Sequence, residues 1–165
     1  GPRYSEGIAD VIDIELHSAT DYNVTEFAVQ DAELLTIGLA SIEVPSTLSG
    51  SYYITIKHRN SIETASAVPV SFAASEINYS FDQPASAFGN NLLTVPDGWA
   101  VIYSSDVDQN GIVDTADFTP VDNLSSEYSM GYYPEDVNGD GFVDTADLSF
   151  MDNNQINFVG AILPF

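Results

Sequence analysis

The chain contains the segment DVDQNGIVDTAD at residues 106–117 and, thirty residues further on, the segment DVNGDGFVDTAD at residues 136–147. Both fit the twelve-residue loop that binds calcium, which has oxygen donors at positions 1, 3, 5, 9 and 12, a main-chain carbonyl at position 7 and glycine at position 6. One such fit can arise by chance, but two in the same register rarely do. The two segments therefore predict a pair of metal-binding loops.

The predicted ligands of each loop are four carboxylates, one amide and one main-chain carbonyl. In the first loop they are Asp106, Asp108, Asn110, Asp114 and Asp117, with the carbonyl of Ile112. In the second loop they are Asp136, Asn138, Asp140, Asp144 and Asp147, with the carbonyl of Phe142. Calcium takes six to eight oxygens at about 2.3–2.6 Å, and a chain supplies them by curling around the ion. We predict two calcium ions, whose binding also supports folding because carboxylates crowded into one loop repel each other.

An alternative interpretation is a pair of turns rich in Asp, Asn and Gly in an acidic protein. Turn chemistry accounts for the glycines. It does not account for aspartate at positions 1, 9 and 12 of both segments. The spacing therefore favours metal binding.

The repeat continues beyond the loops, because residues 106–135 align with residues 136–165. Aligned pairs include Phe118 with Leu148, Val121 with Met151, Tyr128 with Phe158 and Pro134 with Pro164. Apolar residues at three-residue spacing after each loop predict a short helix. We expect the helices to begin near Thr115 and its counterpart and to end at about Asn123 and Asn153. No amphipathic helix precedes either loop, so the first helix of an ordinary EF-hand is missing.

Two loop-then-helix units at the C-terminal end of a chain, carried here by DVDQNGIVDTADF and DVNGDGFVDTADL, resemble the dockerin family. The resemblance implies two calcium ions, antiparallel packing of the two units and docking onto a cohesin-like module. Family members contact cohesin through loop positions 10 and 11, which are Thr115, Ala116, Thr145 and Ala146 in this chain. The chain departs from the family after its helices, where YSMGYYP and FVGAILP replace a continued Leu-rich helix. The interpretation that we favour over cohesin docking is a calcium-stiffened structural module that has no cohesin partner and that tethers or caps its parent protein, in contact with another module of that protein.

The first hundred residues contain seven short strand-like runs separated by Ser, Gly, Asn and Pro. This pattern predicts an antiparallel β-sandwich, immunoglobulin-like or prealbumin-like, in a mostly β chain with a small α part. In the clearest strand, Ile54 and Ile56 lie on one face and Thr55 and Lys57 on the other. We expect a sandwich domain over residues 3–103 and a dockerin-like domain over residues 104–165. Together they resemble C-terminal modules of secreted multimodular Bacteroidetes proteins.

Two of the three basic residues, Lys57 and Arg59, lie close together in a very acidic chain. They could recognise a carboxylate or sulfate group on a polysaccharide, which together with the many aromatic residues suggests a calcium-dependent carbohydrate-binding module. The alternative, which we favour, is that they pair with acidic residues of the protein itself. We expect the single tryptophan, Trp99, to be buried.

Composition limits the remaining classes of function. The net charge of −22 comes from 25 acidic and 3 basic residues, which argues against nucleic acid and against an anionic membrane surface as partners. There is no cysteine, and the two histidines do not accompany a recognisable nucleophile, so we expect no enzyme activity. No apolar run is long enough for membrane insertion. Calcium loops suit a calcium-rich environment, and we expect a secreted protein, outside the cell or at its surface.

Overall fold

The computed structural model describes residues 3–165 and is mostly β, with two helices. The strands are β1 (Ile8–Ser18), β2 (Thr25–Leu35), β3 (Ser51–His58), β4 (Ser61–Ala65), β5 (Val70–Ser71), β6 (Leu93–Thr94) and β7 (Ala100–Val101). The helices are α1 (Thr115–Ser126) and α2 (Thr145–Ile156), and two 3-10 turns occupy Pro84–Ser86 and Phe88–Asn90. Among helices formed by residues 3–165, none has both the length and the apolar character that a bilayer span requires.

The chain divides into two compact units. The first takes in the described chain up to His58, then Thr64–Val101 and Ile162–Phe165, and the second takes in Arg59–Glu63 and Ile102–Ala161. The boundaries of these units differ from those of the predicted domains, residues 3–103 and 104–165, in three places. The second unit includes the turn after β3 with the first three residues of β4, it begins again at Ile102, and the last four residues belong to the first unit.

The main sheet is antiparallel, with strand order β2-β1-β3-β4 and with β5 paired to β3. Strands β6 and β7 form a separate two-stranded sheet. The prediction of a β-rich antiparallel fold is therefore confirmed. The finer assignment to an immunoglobulin-like or prealbumin-like sandwich stays a prediction.

One face of the main sheet holds an apolar core, on the side to which the alternation in β3 assigns Ile54 and Ile56. Ile14 lies opposite Ile56, and Leu16 lies opposite Ile54. Ile12, Ile14 and Ala32 form the buried centre of this cluster. Burying an isoleucine side chain contributes about 1.5–3 kcal/mol, so this face stabilises the first unit.

The opposite face of the same strands carries a network of hydrogen bonds. The Tyr22 hydroxyl lies 2.8 Å from the hydroxyl of Thr55, which is fully buried. The His17 ring stacks on Tyr22, and its Nε2 lies 2.8 Å from the Glu15 carboxylate. The Lys57 ammonium reaches the same carboxylate at 2.9 Å. Tyr22 follows β1 and folds back over it, so this face is covered although its residues are polar.

Glu15 is the partner shared by this network. Burial alone would raise the pKa of its carboxyl, but hydrogen bonds from Lys57 and His17 outweigh burial and hold the pKa below its ordinary value. The carboxylate is therefore stabilised in its charged form by groups on β1 and β3.

Two apolar clusters hold the second unit together. One contains Ile62, Val113 and Val159, and the other contains Val121, Val143 and Met151. The two repeats are also interlocked reciprocally. The Val113 N–H donates to the Val159 carbonyl and the Val143 N–H donates to the Ser129 carbonyl, both at 2.9 Å. Each loop therefore pairs with the segment that follows the helix of the other repeat.

The helices begin where the sequence predicts but end three residues later than Asn123 and Asn153. The additional residues of α1 include Leu124, which packs against the cluster around Val121. Pro120 lies inside α1. It removes one backbone donor without ending the helix, since the apolar side chains on either side of it remain packed.

Candidate metal centre

The first loop brings three carboxylates together. Asp106 and Asp117 are buried and Asp108 is exposed. One oxygen from each lies within 4.8 Å of the others, so the group could hold a metal ion. It is the one cluster of three such groups found within residues 3–165. The first loop therefore has the donors for a cation.

Backbone hydrogen bonds fix the two buried carboxylates of this loop. Asp117 Oδ1 accepts from the N–H groups of Val107 at 2.7 Å and Asp108 at 3.0 Å, and its Oδ2 accepts from Asp114 at 2.9 Å. Asp106 Oδ2 accepts from the N–H of Gly111 at 3.0 Å. Gly111 has φ +86°, a conformation that glycine adopts without steric cost. The loop thus curls because its own carboxylates bind its backbone.

The surroundings of Asp106 disfavour the charged form of its carboxyl group. Burial raises the pKa of Asp106 to about 6; the N–H groups of Gly111 and Asn110 oppose the rise, and the nearby carboxylates of Asp117 and Asp108 add to it. A group in such surroundings gains stability when a cation is placed beside it. The first loop is therefore an acidic site whose charge a metal ion would offset.

The second loop repeats this geometry. Asp147 Oδ1 accepts from Val137 at 2.8 Å and Asn138 at 3.0 Å, and its Oδ2 accepts from Asp144 at 2.9 Å. Asp136 Oδ2 accepts from the N–H of Gly141 at 2.9 Å. All twelve positions have the same burial in both loops. The difference is chemical, because position 3 holds an amide in the second loop and a carboxylate in the first.

The predicted ligands at position 9 are helix caps in the structure. Asp114 and Asp144 each accept a hydrogen bond from the N–H two residues ahead, at 2.6 Å and 2.7 Å, and form capping boxes with Asp117 and Asp147. Such caps contribute about 1 kcal/mol each. The aspartates predicted as metal ligands therefore also decide where the helices begin.

The other predicted ligands lie at the rims of the loops. Asn110 Oδ1 and Asp140 Oδ1 each accept from the N–H of the position 7 residue at 2.9 Å. Those residues, Ile112 and Phe142, have exposed side chains. Their assignment as carbonyl donors stays a prediction.

The four predicted docking residues are exposed in the first turn of each helix: Thr115, Ala116, Thr145 and Ala146. Lys57 and Arg59, in contrast, are engaged within the protein. Lys57 pairs with Glu15. The Arg59 guanidinium lies 4.4 Å from the centre of the Tyr132 ring and donates to the carbonyls of Tyr133 and Asp136, both at 3.2 Å. These contacts favour the interpretation in which both bases bind groups of the protein itself.

The prediction of a buried Trp99 is wrong, because its side chain is 65% exposed. It lies in the tight turn between β6 and β7, where the Val95 N–H donates to the Trp99 carbonyl at 2.9 Å. Segments that connect strands run over the surface of a protein, which is consistent with this exposure. Tyr53, in contrast, is half-buried and makes edge contacts with Tyr22 and Phe88.

One polar residue outside the repeats contacts the segments that begin both loops and was missed by the sequence analysis. Asn60 is 2% exposed. It follows β3 in a short turn, where asparagine is common for purely local reasons, so no sequence pattern distinguishes it.

A scan against models of protein families, a search among curated proteins and a search among solved structures each found no match to this chain.

Proposed function

We propose that the second unit is a dockerin-like pair of calcium-binding units that holds two ions. The observation that carries this proposal is the agreement between the loops. The first and twelfth aspartates are buried in both, and eight backbone-to-side-chain hydrogen bonds recur at equivalent positions. If the first loop binds an ion, the second has the same means of binding another.

The donor chemistry favours calcium over other cations. Every candidate ligand is an oxygen atom, the chain has no cysteine, and neither histidine falls in the loops. Zinc and copper prefer sulfur and imidazole ligands. Magnesium requires a compact octahedron and usually retains several waters. A flexible loop with carboxylate, amide and carbonyl oxygens suits the larger calcium ion best.

The role that we infer for the bound ions is structural, in a non-catalytic module of a secreted multimodular protein. Ions held by residues 106–117 and 136–147 would fix the first turns of both helices, where the exposed residues at loop positions 10 and 11 lie. A cohesin-like module, or another module of the parent protein, is the partner that this arrangement suggests. The first unit, interpreted as a sandwich, would link this attachment module to the rest of the parent chain.

Calorimetry tests calcium binding directly. Titration of calcium chloride into chelator-treated protein should give a stoichiometry of two ions. At a thousandfold excess over Kd each ion stabilises the folded state by about 4 kcal/mol. Since 1 kcal/mol shifts the Tm of a small domain by about 4–8 °C, excess chelator should lower the Tm of the second unit by well over ten degrees. An unchanged melting curve in chelator would refute the proposal.

A calcium-dependent carbohydrate-binding module is the second candidate, and the exposure of Trp99 is the observation that favours it. An exposed indole ring can stack on a sugar ring. In affinity gels that contain acidic or neutral polysaccharides, this candidate predicts retardation that Trp99→Ala abolishes. Migration that no polysaccharide changes would leave the attachment role as the better account.

A further inference from the structure

The turn that follows β3 supplies contacts to the start of the second loop. Asn60 Nδ2 donates to two main-chain carbonyls, that of Pro134 at 3.0 Å and that of Asp136 at 2.9 Å. Arg59 also donates to the Asp136 carbonyl. Asp136 occupies position 1 of the second loop. The backbone of this first predicted ligand is therefore held by two side chains from outside the repeat.

The same turn contacts the start of the first loop. The Asn60 carbonyl accepts from the N–H of Ser105 at 2.6 Å, and Ser105 directly precedes Asp106. Ser61 bridges to Ser104. Gln109, inside the first loop, donates to the Ser61 carbonyl at 3.3 Å and to the Asp106 carbonyl at 2.6 Å. Asn60 thus contacts the chain at the start of both loops.

We propose that Asn60 is a positioning residue for both metal sites and that it couples them. This inference rests on the proposed function, because it assumes that both loops bind calcium. In an ordinary EF-hand a preceding helix fixes the first ligand. In the part of the chain that the structure describes, no helix ends directly before either loop. The segment Arg59–Glu63, which belongs to the second unit, instead contacts the carbonyl of Asp136 and the N–H of Ser105, the residue directly before Asp106.

Coupling follows from the geometry of a single buried residue, whose side chain contacts the start of the second loop and whose main-chain carbonyl contacts the start of the first. Both N–H bonds of the Asn60 amide are used, each on a different carbonyl, and both carbonyls belong to the start of the second loop. An ion that orders one loop also orders Asn60, and this lowers the entropy that the other loop loses when it binds its own ion. Calcium binding to the two loops should therefore show positive cooperativity.

Four full-length chains test the coupling: the unmodified protein, Asp147→Asn to disable the second loop, Asn60→Ala, and the two changes combined. Calcium chloride is titrated into each, and the amide signals of Gly111 and Gly141, one in each loop, report the two sites separately by NMR. Asn123→Ala is the matched control, because Asn123 is exposed on α1.

Without changes at Asn60, the first loop should bind calcium at least about fivefold more tightly when the second loop is intact than when it is disabled. Asn60→Ala should reduce this ratio of affinities to one. It should also lower the calcium affinity of the second loop about tenfold, as loss of a group that orients a metal ligand does. Asn123→Ala should change neither value. A general loss of stability would weaken the first loop equally in both backgrounds and leave the ratio intact.

Two results would overturn the inference. The first is that the calcium affinity of the first loop, in chains that keep Asn60, is the same whether the second loop is intact or disabled. This measurement does not depend on whether Asn60→Ala folds. The other is an undiminished ratio in folded Asn60→Ala. Both differ from failure of the proposed function, in which neither glycine signal responds to calcium in any of the four chains.

Discussion

The two loops have the same backbone but distribute their charges differently. Position 3 is Asp108 in the first loop and Asn138 in the second, and position 5 is Asn110 in the first and Asp140 in the second. Each loop therefore has four carboxylates, but only the first gathers three of them within 4.8 Å. The hydrogen bonds of the loop form whether the carboxylate is at position 3 or at position 5. The negative electrostatic potential inside the loop, in contrast, depends on which of the two positions carries it.

The surroundings of the second loop add to this difference. Burial raises the pKa of Asp136, but the N–H groups of Gly141 and Gly139 and the positive charge of Arg59 act in the opposite direction. At Asp106 the rise is opposed by the N–H groups of Gly111 and Asn110, while the carboxylates of Asp117 and Asp108 add to it. A neighbouring positive charge also repels a calcium ion. We therefore expect the first loop to bind calcium more tightly than the second.

The largest effect should come from disabling one loop at a time through position 12. Asp117→Asn or Asp147→Asn replaces a buried carboxylate oxygen by an amide N–H group that faces backbone donors. Each change should weaken its own loop at least about a hundredfold and reduce the calorimetric stoichiometry from two ions to one. Asp122→Asn, on the exposed side of α1, is the control and should retain two ions. Retention of two ions by Asp117→Asn would show that this carboxylate is not a ligand.

Exchanging the residues at position 3 should give a smaller effect and tests the charge argument itself. Asp108→Asn should weaken the first loop about tenfold, and Asn138→Asp should strengthen the second by a similar factor, because affinity follows the number and placement of ligand charges. The two backbones should not change, since the side chains are isosteric. Site-resolved titration of Gly111 and Gly141 measures both effects. Equal affinities in all chains would mean that position 3 does not face the ion.

Local signals account for the parts of this unit that could be predicted. Gly111 and Gly141 have φ near +87°, and the helices begin at capping aspartates, so loop and helix starts are encoded by neighbouring residues. The helix ends were predicted too early because the usual local signal for a helix end is missing. The left-handed residues after the helices are Tyr128 and Phe158, and neither is the glycine that usually marks a helix end.

Long-range contacts account for what could not be predicted. Nothing near Asn60 in the sequence indicates that its amide reaches residues more than seventy positions away. The alternation in β3 correctly placed Ile56 and Lys57 on opposite faces, but it could not show that Tyr22 folds over the polar face. The exposure of Trp99 likewise depends on a turn formed by residues on both sides of it. In each case a distant or irregular segment decides the environment.

The smallest predicted effect is the pH dependence of stability that comes from Glu15. Unlike the loop carboxylates, Glu15 is paired with a cation of the chain itself, Lys57. Its lowered pKa means that the folded state gains stability above the pKa of the unfolded chain, about 4.3, and loses it as pH falls through the folded value. The Glu15 pair should contribute only about 1 kcal/mol, because Lys57 remains partly exposed to water. Lys57→Met should raise the Glu15 pKa and should reduce the loss of stability below pH 5. The carbon-13 chemical shift of the Glu15 carboxyl group, recorded as a function of pH, measures this pKa. The Glu15 pKa should not respond to calcium, whereas Asp106 should titrate at lower pH when calcium is present. An equal response of both carboxyls to calcium would contradict the distinction between a carboxylate paired within the chain and one that requires a metal ion.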